Sequence, residues 1–328
     1  MTITTIMVGS LSVLLASSAL AAPRRHAKVR IIAVQMKVSM DMYRDAATFR
    51  QAMDSVVSKA AGRRARNCPT LVALPEDVGL GLVFLGHWDT VRNAKDIRDA
   101  GALLGARLGQ AVAANAARHR VSPTRALLIT ANDLYLRDAY YRTFSELAAR
   151  HKVYLAAGSA PLSRPGSPDV TNRAVLFGPD GKILGEWDKV HLIDLEGPAG
   201  LDLAPGKVED LAVVNTPFGR VGTSVCWDGF HDDVLDHLVA RGAHFILQPS
   251  FNPGAWTKEQ EADWSTGLWQ RLQTRPGVVG INPMAVGNLF DVVCEGRTNI
   301  VGAEAPPGGY YGRAKSPADP GMLLVDVY

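Results

Sequence analysis

Three residues capable of nucleophilic or acid–base chemistry follow strand-like runs in this 328-residue sequence. Cys226 follows the apolar run Val221 to Val225, Glu76 follows "LVALP", and Lys189 lies at the end of "GEWDK". A cysteine becomes a nucleophile when a base or a positive charge stands beside it. A carboxylate at the edge of a buried strand is poorly solvated, which raises its pKa toward the range useful for proton transfer. Each of the three residues is therefore a candidate for a catalytic role.

Each candidate also has an ordinary structural interpretation. A single cysteine is often a small core residue, Glu76 can cap a strand end, and Lys189 can be a surface lysine paired with Asp188. Histidine is the usual partner of a nucleophilic cysteine, but the positions of His231 and His237 at a predicted helix favour structural or solvent roles. Histidine and acidic residues show no metal-ligand spacing, so we expect no metal and no cofactor.

Composition narrows the function classes. The formal net charge is +3, and the basic clusters near the N-terminus contain no interleaved aromatic residues, so we expect no nucleic-acid partner. The cysteines Cys68, Cys226 and Cys294 are odd in number and far apart, which argues against a disulfide framework and against a thiolate zinc site. We expect Cys68 and Cys294 to be structural.

The N-terminal segment differs from the rest of the chain. An uncharged apolar run from Ile6 to Leu20 ends in a small-x-small pattern typical of signal-peptidase sites, although no basic residue precedes it. We interpret residues 1–22 as a signal peptide or short N-terminal anchor. The sequence thus predicts export, to the periplasm or outside the cell, or attachment to the envelope; without a true signal the protein would be cytoplasmic.

The remaining chain alternates strand and helix patterns. "RIIAVQM" and "TLVALPE" are predicted strands separated by a helix that Gly62 ends, and "RAVLF" and "KILGEW" flank a glycine- and proline-rich turn typical of a hairpin. We therefore predict an α/β fold with mixed sheets covered by helices. An alanine-rich region, Leu82 to Tyr141, has Leu104, Leu108, Ala111 and Val112 on one helical face and is interpreted as a surface elaboration or a lid.

The local pattern around Cys226 favours a nucleophile that projects into a cleft over a core thiol. The strand "VGTSV" precedes the cysteine, and the helix Asp232 to Gly242 and the strand "HFILQPS" follow it. Such crossovers place functional groups at the carboxyl ends of strands. A bend at Cys226 also leaves backbone amides free to bind a developing oxyanion.

Three blocks of the sequence, taken in order, resemble the signature blocks of the nitrilase (carbon–nitrogen hydrolase) superfamily. They are "LVALPEDVGL", "GEWDKVHLIDLE" and "RVGTSVCWDGF", supported by "TNRAVLFGPDGKIL" and "GRTNIVG". The resemblance runs from about Arg30 to the C-terminus, so we assign residues 28–328 to one carbon–nitrogen hydrolase domain. It implies a four-layer α-β-β-α sandwich with two mixed β-sheets, and association as a homodimer or a larger homo-oligomer.

The resemblance also implies a catalytic triad of Glu76, Lys189 and Cys226. Glu76 would act as general base and acid, Cys226 as nucleophile, and Lys189 together with the backbone amide of Trp227 would stabilise the oxyanion. Many members carry a second glutamate after the lysine. Glu196 is the candidate here, with Asp202 as the fallback.

The expected reaction is hydrolysis of a non-peptide C–N bond in a small linear amide or N-carbamoyl substrate, through an acyl-thioester. "CWDG" favours amides over nitriles, because amidase-like members tend to have aspartate two residues after the cysteine. The alternatives are an acyltransferase using the same thioester, a nitrile hydrolase, and a non-catalytic scaffold. Residues 272–282 and Leu82 to Tyr141 depart from the family pattern, which leaves the substrate open. Trp227, Phe251 and Trp256 are candidates for the pocket lining.

Overall fold

The computed structural model describes residues 28–164 and 166–327. The strands in this part of the chain are β1 (Val29–Val38), β2 (Thr70–Ala73), β3 (Tyr154–Ser163), β4 (Val170–Phe177), β5 (Ile183–Asp188), β6 (Val214–Thr216), β7 (Gly219–Thr223), β8 (Phe245–Leu247), β9 (Val279–Asn282), β10 (Ala285–Leu289), β11 (Val292–Cys294), β12 (Asn299–Val301), β13 (Tyr310–Arg313) and β14 (Gly321–Val327). The α-helices are α1 (Ala46–Ala61), α2 (Trp88–Val91), α3 (Ile97–Arg107), α4 (Gly109–His119), α5 (Pro123–Ala131), α6 (Arg137–His151), α7 (Asp232–Ala240), α8 (Lys258–Ser265) and α9 (Leu268–Leu272).

The strands form two sheets, and each sheet mixes parallel and antiparallel pairs. The first has the order β11-β10-β1-β2-β3-β4-β5, with β14 also paired to β1, and the second has the order β13-β12-β9-β8-β7-β6. In the first sheet β1 and β2 are parallel while β3 and β4 are antiparallel; in the second β7 and β8 are parallel while β9 and β12 are antiparallel. The predicted mixed sheets are therefore confirmed.

Alternating apolar side chains on the strands give each sheet two buried faces. On β1, Ile32 and Val34 belong to one core cluster with Phe49 and Met53 of α1. Residues on the opposite face of β1, such as Ile31, belong to a second cluster that contains strands of the other sheet and residues of α7 and α9. Helices thus cover the outside of both sheets, and the predicted four-layer α-β-β-α sandwich is confirmed.

Local sequence signals account for the elements that lead to the site. Asp45 caps the start of α1 by accepting a hydrogen bond from the backbone N–H of Thr48. β2 ends at Ala73, earlier than the predicted "TLVALPE" run, because Pro75 cannot donate to a strand ladder. The predicted hairpin forms as β4 and β5, paired antiparallel, and Gly181 has a positive φ in its turn.

The region Leu82 to Tyr141 is largely helical, but the apolar residues predicted to share one helical face lie on two helices. The predicted helical face is divided between α3 and α4, which meet at Leu108, and of its four apolar residues only Leu104 and Val112 are buried. α5 begins with Pro123, and its N-cap Ser122 accepts a hydrogen bond from the N–H of Arg125. These helices pack into the same core as α1 and α6.

The signal-peptide interpretation falls on residues that lie outside the described part of the chain. No helix among the described residues is both long and apolar enough to cross a membrane. Cys68, Cys226 and Cys294 are all free thiols.

Candidate active site

Cys226 lies where β7 gives way to a short 3-10 helix, Cys226–Phe230, that precedes α7. Its backbone φ is +48°, in the left-handed region that is unfavourable for residues other than glycine. The N–H of Cys226 donates to the carbonyl of Pro249, and Gln248 Nε2 donates to the carbonyl of Cys226, at 3.0 and 2.7 Å. Both hydrogen bonds are made with residues that directly follow β8, and they hold the strained turn that carries the thiol.

Glu76 is held beyond the end of β2 by close backbone packing. Gly158 of β3 has a φ of +66°, and a Cβ atom there would lie 1.9 Å from the carbonyl oxygen of Pro75, so only glycine fits. The backbone N–H of Phe251 donates to Glu76 Oε2 at 2.8 Å. The carboxylate is thereby fixed between the two sheets.

Lys189 follows the last residue of β5, as expected. Its N–H donates to the carbonyl of Asn172 on β4, and its carbonyl accepts from the N–H of Gly206, at 2.9 and 2.7 Å. Only 1% of the side chain is exposed. The ordinary alternative, a surface lysine paired with Asp188, is therefore wrong; Asp188 instead binds Arg173 and Arg164.

The structure brings Glu76, Lys189 and Cys226 together from separate strand ends. Lys189 Nζ lies 2.9 Å from Glu76 Oε1. Both Glu76 and Lys189 lie close enough to the Cys226 thiol for their charges to act on its pKa, and Cys226 Sγ lies 3.9 Å from the carbonyl oxygen of Phe251. A thiol, a carboxylate and an ammonium group therefore share one buried cluster.

Burial controls the protonation of this cluster. Burial raises the pKa of Glu76 above its ordinary value, and the charge of Lys189 opposes part of the rise. Burial, followed by the charge of Glu76, raises the pKa of the Cys226 thiol well above its ordinary range. For Lys189, burial alone would lower the pKa, but the anionic neighbours raise it well above its usual value. The cluster therefore combines a protonated thiol, an ammonium ion and a carboxylate more basic than usual.

Glu196, the candidate second glutamate, contacts the same lysine. Its Oε2 lies 2.7 Å from Lys189 Nζ and accepts from the N–H of Ile193 at 3.0 Å. The fallback residue Asp202 lies elsewhere, since it forms an ion pair with Arg125 at 2.9 Å. The structure thus places Glu196, and not Asp202, beside the triad.

Asn172 is a polar site residue to which the sequence interpretation assigned no role, although it lies in the quoted block "TNRAVLF". Its fully buried Nδ2 donates to Glu76 Oε1 at 2.9 Å and to Glu196 Oε1 at 2.7 Å. This bridge fixes the spacing of the two carboxylates around Lys189. The residues it joins are far apart in sequence, so only its place in the family-like block could have indicated it.

Asp228, the aspartate of "CWDG", connects two parts of the site. Its carboxylate accepts from the backbone N–H groups of Val190 and His191, next to the lysine, and of Val225, next to the cysteine. Burial raises its pKa to about 6, and these hydrogen bonds oppose the rise. Asp228 therefore joins the segment that follows Lys189 to the turn that carries Cys226.

The aromatic candidates separate into different environments. Phe251 lines a cavity of about 630 Å³ that Glu76, Lys189 and Glu196 also line. The Trp227 side chain is 41% exposed and stacks on Phe230, and Trp256 borders a different, smaller pocket. Trp227 can still contribute its backbone amide, because it lies in the first turn of a helix, where amides lack intrahelical acceptors.

A cluster of possible metal ligands lies near the site but has unsuitable geometry. Within residues 28–164 and 166–327, the candidate ligand atoms of His191, His231 and Asp233 lie within 4.8 Å of one another, which sequence spacing did not predict. The two imidazole rings are stacked 3.7 Å apart and within 10° of parallel. Because the lone pairs lie in the ring planes, stacked rings do not direct them at a common ion. We assign these histidines a packing role.

Comparison with known proteins agrees with this architecture. Residues 30–273 match the model of the carbon-nitrogen hydrolase family. The omega-amidase NIT2 of Homo sapiens is 31% identical over 123 residues, which cover 34% of this chain and 43% of the relative. The deaminated glutathione amidase of Yersinia enterocolitica is 34% identical over 135 residues, covering 38% and 45%. The matched segments thus span less than half the length of either curated relative.

Solved structures extend the likeness over nearly the whole chain. An amidase from Nesterenkonia sp. AN1 in complex with acrylamide superimposes with a TM-score of 0.59 at 17% identity, covering 94% of both chains. A carbon-nitrogen hydrolase from Helicobacter pylori G27 has a TM-score of 0.60 at 16% identity, covering 92% of this chain and 89% of that one. At these identities the likeness establishes the fold.

The strand-end placement of the site, the four-layer architecture and the family match lead to one assignment. This chain belongs to the carbon-nitrogen hydrolase family.

Proposed function

We propose that this protein hydrolyses the C–N bond of a linear amide through an acyl-thioester on Cys226. The observation that carries the proposal is the buried cluster in which Lys189 Nζ lies 2.9 Å from Glu76 Oε1 and the buried Cys226 thiol is close enough for both charges to act on its pKa. Burying two charged groups beside a thiol costs desolvation, and such a cluster is useful when charge must be separated during a reaction.

In the first half-reaction Glu76 takes the thiol proton while Cys226 Sγ attacks the carbonyl carbon. The negative charge that forms on oxygen is stabilised by Lys189 and by the backbone N–H of Trp227. Lys189 is suited to this, because two of its three N–H groups serve Glu76 and Glu196, which leaves one for the oxyanion. Glu76 then gives its proton to the nitrogen, the C–N bond breaks, and ammonia or an amine leaves.

In the second half-reaction water replaces the amine. Glu76 takes a proton from the water as its oxygen attacks the thioester carbonyl, and Lys189 and the Trp227 amide stabilise the second oxyanion. The C–S bond breaks, the carboxylic acid leaves, and the proton held by Glu76 returns to the Cys226 sulfur. Glu196 and Asn172 hold the side chains of Lys189 and Glu76 in position through both steps.

Two features support an amide over a nitrile substrate. The curated relatives reported above are named as amidases. The sequence "CWDG" has aspartate two residues after the cysteine, as amidase-like members of the family tend to have. Export of the chain and its association into homo-oligomers stay predictions.

The reaction class can be tested with matched substrates of equal chain length. We expect the purified protein to release ammonia from butyramide and from an N-carbamoyl compound faster than from butyronitrile. Activity restricted to butyronitrile would overturn the amide assignment. An added amine that captures the acyl group in preference to water would identify an acyltransferase, and inertness toward the whole panel would favour a non-catalytic scaffold.

A further inference from the structure

The cavity beside the proposed triad is built largely by the region that the sequence left unexplained. Its volume of about 630 Å³ falls within the range of pockets that enclose drug-sized ligands. The 3-10 helix Leu80–Phe84 and the helices α3, α4 and α5 supply about half of the lining. The segments that follow β2, Lys189 and β8 and the strands β10 and β11 supply the rest. The cavity is therefore a specific feature of how Leu82 to Tyr141 packs over the site.

The lining is mainly apolar, and most of its ionisable groups belong to the catalytic cluster. Leucine, valine, isoleucine, phenylalanine and alanine side chains form most of the wall. The lining acidic residues are Glu76, Asp77 and Glu196, and the lining basic residues are Lys189 and Arg98. Glu76 and Glu196 are paired with Lys189, and burial raises the pKa of Asp77 well above its ordinary value. Arg98 is therefore the lining charge outside the catalytic cluster, and an apolar chain along the rest of the wall would be removed from water.

Helix α3 keeps part of this volume open. Gly101 and Gly105 are four residues apart, so they lie on the same helical face, and both line the cavity. A Cβ atom added at either glycine would meet no atom within 4 Å. Glycine is a poor helix former, so its presence twice on this face favours the open volume at the expense of helix stability.

We propose that the substrate carries an extended apolar acyl chain, which the walls formed by α3, α4 and α5 bind. The inference rests on the proposed amide hydrolysis and replaces the expectation of a small substrate. The acyl side is chosen because the acyl group stays attached to Cys226 through both half-reactions, so its contacts contribute to both transition states, whereas contacts to the amine are lost after the first.

The test is a series of straight-chain primary amides from acetamide to decanamide, with kcat/KM measured by ammonia release. We expect kcat/KM to rise by up to about fourfold for each methylene and by at least about 100-fold from butyramide to decanamide. Succinamate has the length of butyramide but ends in a carboxylate, and its kcat/KM should be lower than that of butyramide. A flat or falling series, or a tenfold preference for succinamate, would overturn the inference while leaving amide hydrolysis intact.

Filling the cavity supplies the matched variants. Gly101→Leu should lower the ratio of kcat/KM for decanamide to that for butyramide by about 20-fold or more, because the new side chain occupies the chain's volume. The control is Gly109→Leu, the same substitution at an exposed glycine of α4 that also meets no atom within 4 Å and does not line the cavity. An unchanged ratio in Gly101→Leu, or an equal change in Gly109→Leu, would count against the inference.

A binding measurement separates failure of the inference from failure of the catalytic proposal. Decanamide should bind the Cys226→Ala variant at least about tenfold more tightly than butyramide in calorimetry, whether or not the wild type turns it over. Equal affinities would overturn the acyl-chain assignment. A better substrate bearing its long apolar group on the amide nitrogen would place that group on the amine side and would also overturn it.

Discussion

Cys226→Ala should reduce kcat for amide hydrolysis by about 10⁴-fold or more, to the detection limit of an ammonia assay. No other side chain of the cluster can form the thioester, because Glu76 and Lys189 are bound to each other and lack a nucleophilic sulfur. The substitution removes a single buried atom, so the fold should be kept.

The control for this variant is Cys68→Ala, at a half-exposed cysteine that precedes β2, at the end of the strand opposite Glu76. It should retain wild-type kcat. Both variants should give the wild-type circular dichroism spectrum and melt within a few degrees of it. Substantial turnover by a folded Cys226→Ala protein would remove the nucleophile from the mechanism.

Glu76→Gln should lower kcat by about 10²- to 10⁴-fold, the usual contribution of general acid–base catalysis. The amide has nearly the same size but accepts no proton, and all three polar neighbours of the carboxylate, Lys189, Asn172 and the N–H of Phe251, are donors. The amide nitrogen of glutamine would face at least one of them, which adds a loss of site geometry.

The pH profile should identify which carboxylate acts as the base. Wild-type kcat/KM should fall as the pH drops through the pKa of Glu76, since protonation removes the base, and burial places this fall above the ordinary range for glutamate. Burial also raises the pKa of Asp228, to about 6, so its protonation is a second source of an acid limb. Loss of the acid limb in Glu76→Gln would assign it to Glu76.

Glu196→Gln is the matched comparison, because Glu196 also lies within 2.7 Å of Lys189. It should cost less activity than Glu76→Gln and should keep the acid limb, since Glu196 is a positioning residue in this account. If Glu196→Gln abolished the limb and Glu76→Gln retained it, the two roles would have to be exchanged.

The elements that carry the three proposed catalytic residues could be predicted because their signals are local. Apolar runs mark β2 and β7, a turn rich in glycine and proline marks the hairpin of β4 and β5, and Gly62 follows the last residue of α1. Glu76, Lys189 and Cys226 could then be identified as candidates, since each follows one of these strands. Local patterns thus defined the framework and the candidates.

Other features of the site depend on contacts between distant residues. Asn172 bridges Glu76 and Glu196, which lie 96 and 24 positions away, and the N–H of Phe251 reaches Glu76 across 175 positions. Such pairings follow from strand order. The division of the helical pattern at Leu108 and the cavity beneath α3 follow from how helices pack onto the sheet, which periodicity alone does not specify.

The central claim is that a covalent acyl-enzyme forms on Cys226, and intact-mass spectrometry of the protein quenched in acid during turnover of butyramide tests it most directly. We expect a fraction of the protein to gain the mass of one butyryl group, with peptide mapping placing it on Cys226 and with no such gain in Cys226→Ala. Ammonia release with the adduct on Cys68 or Cys294, or turnover by Cys226→Ala, would contradict the claim.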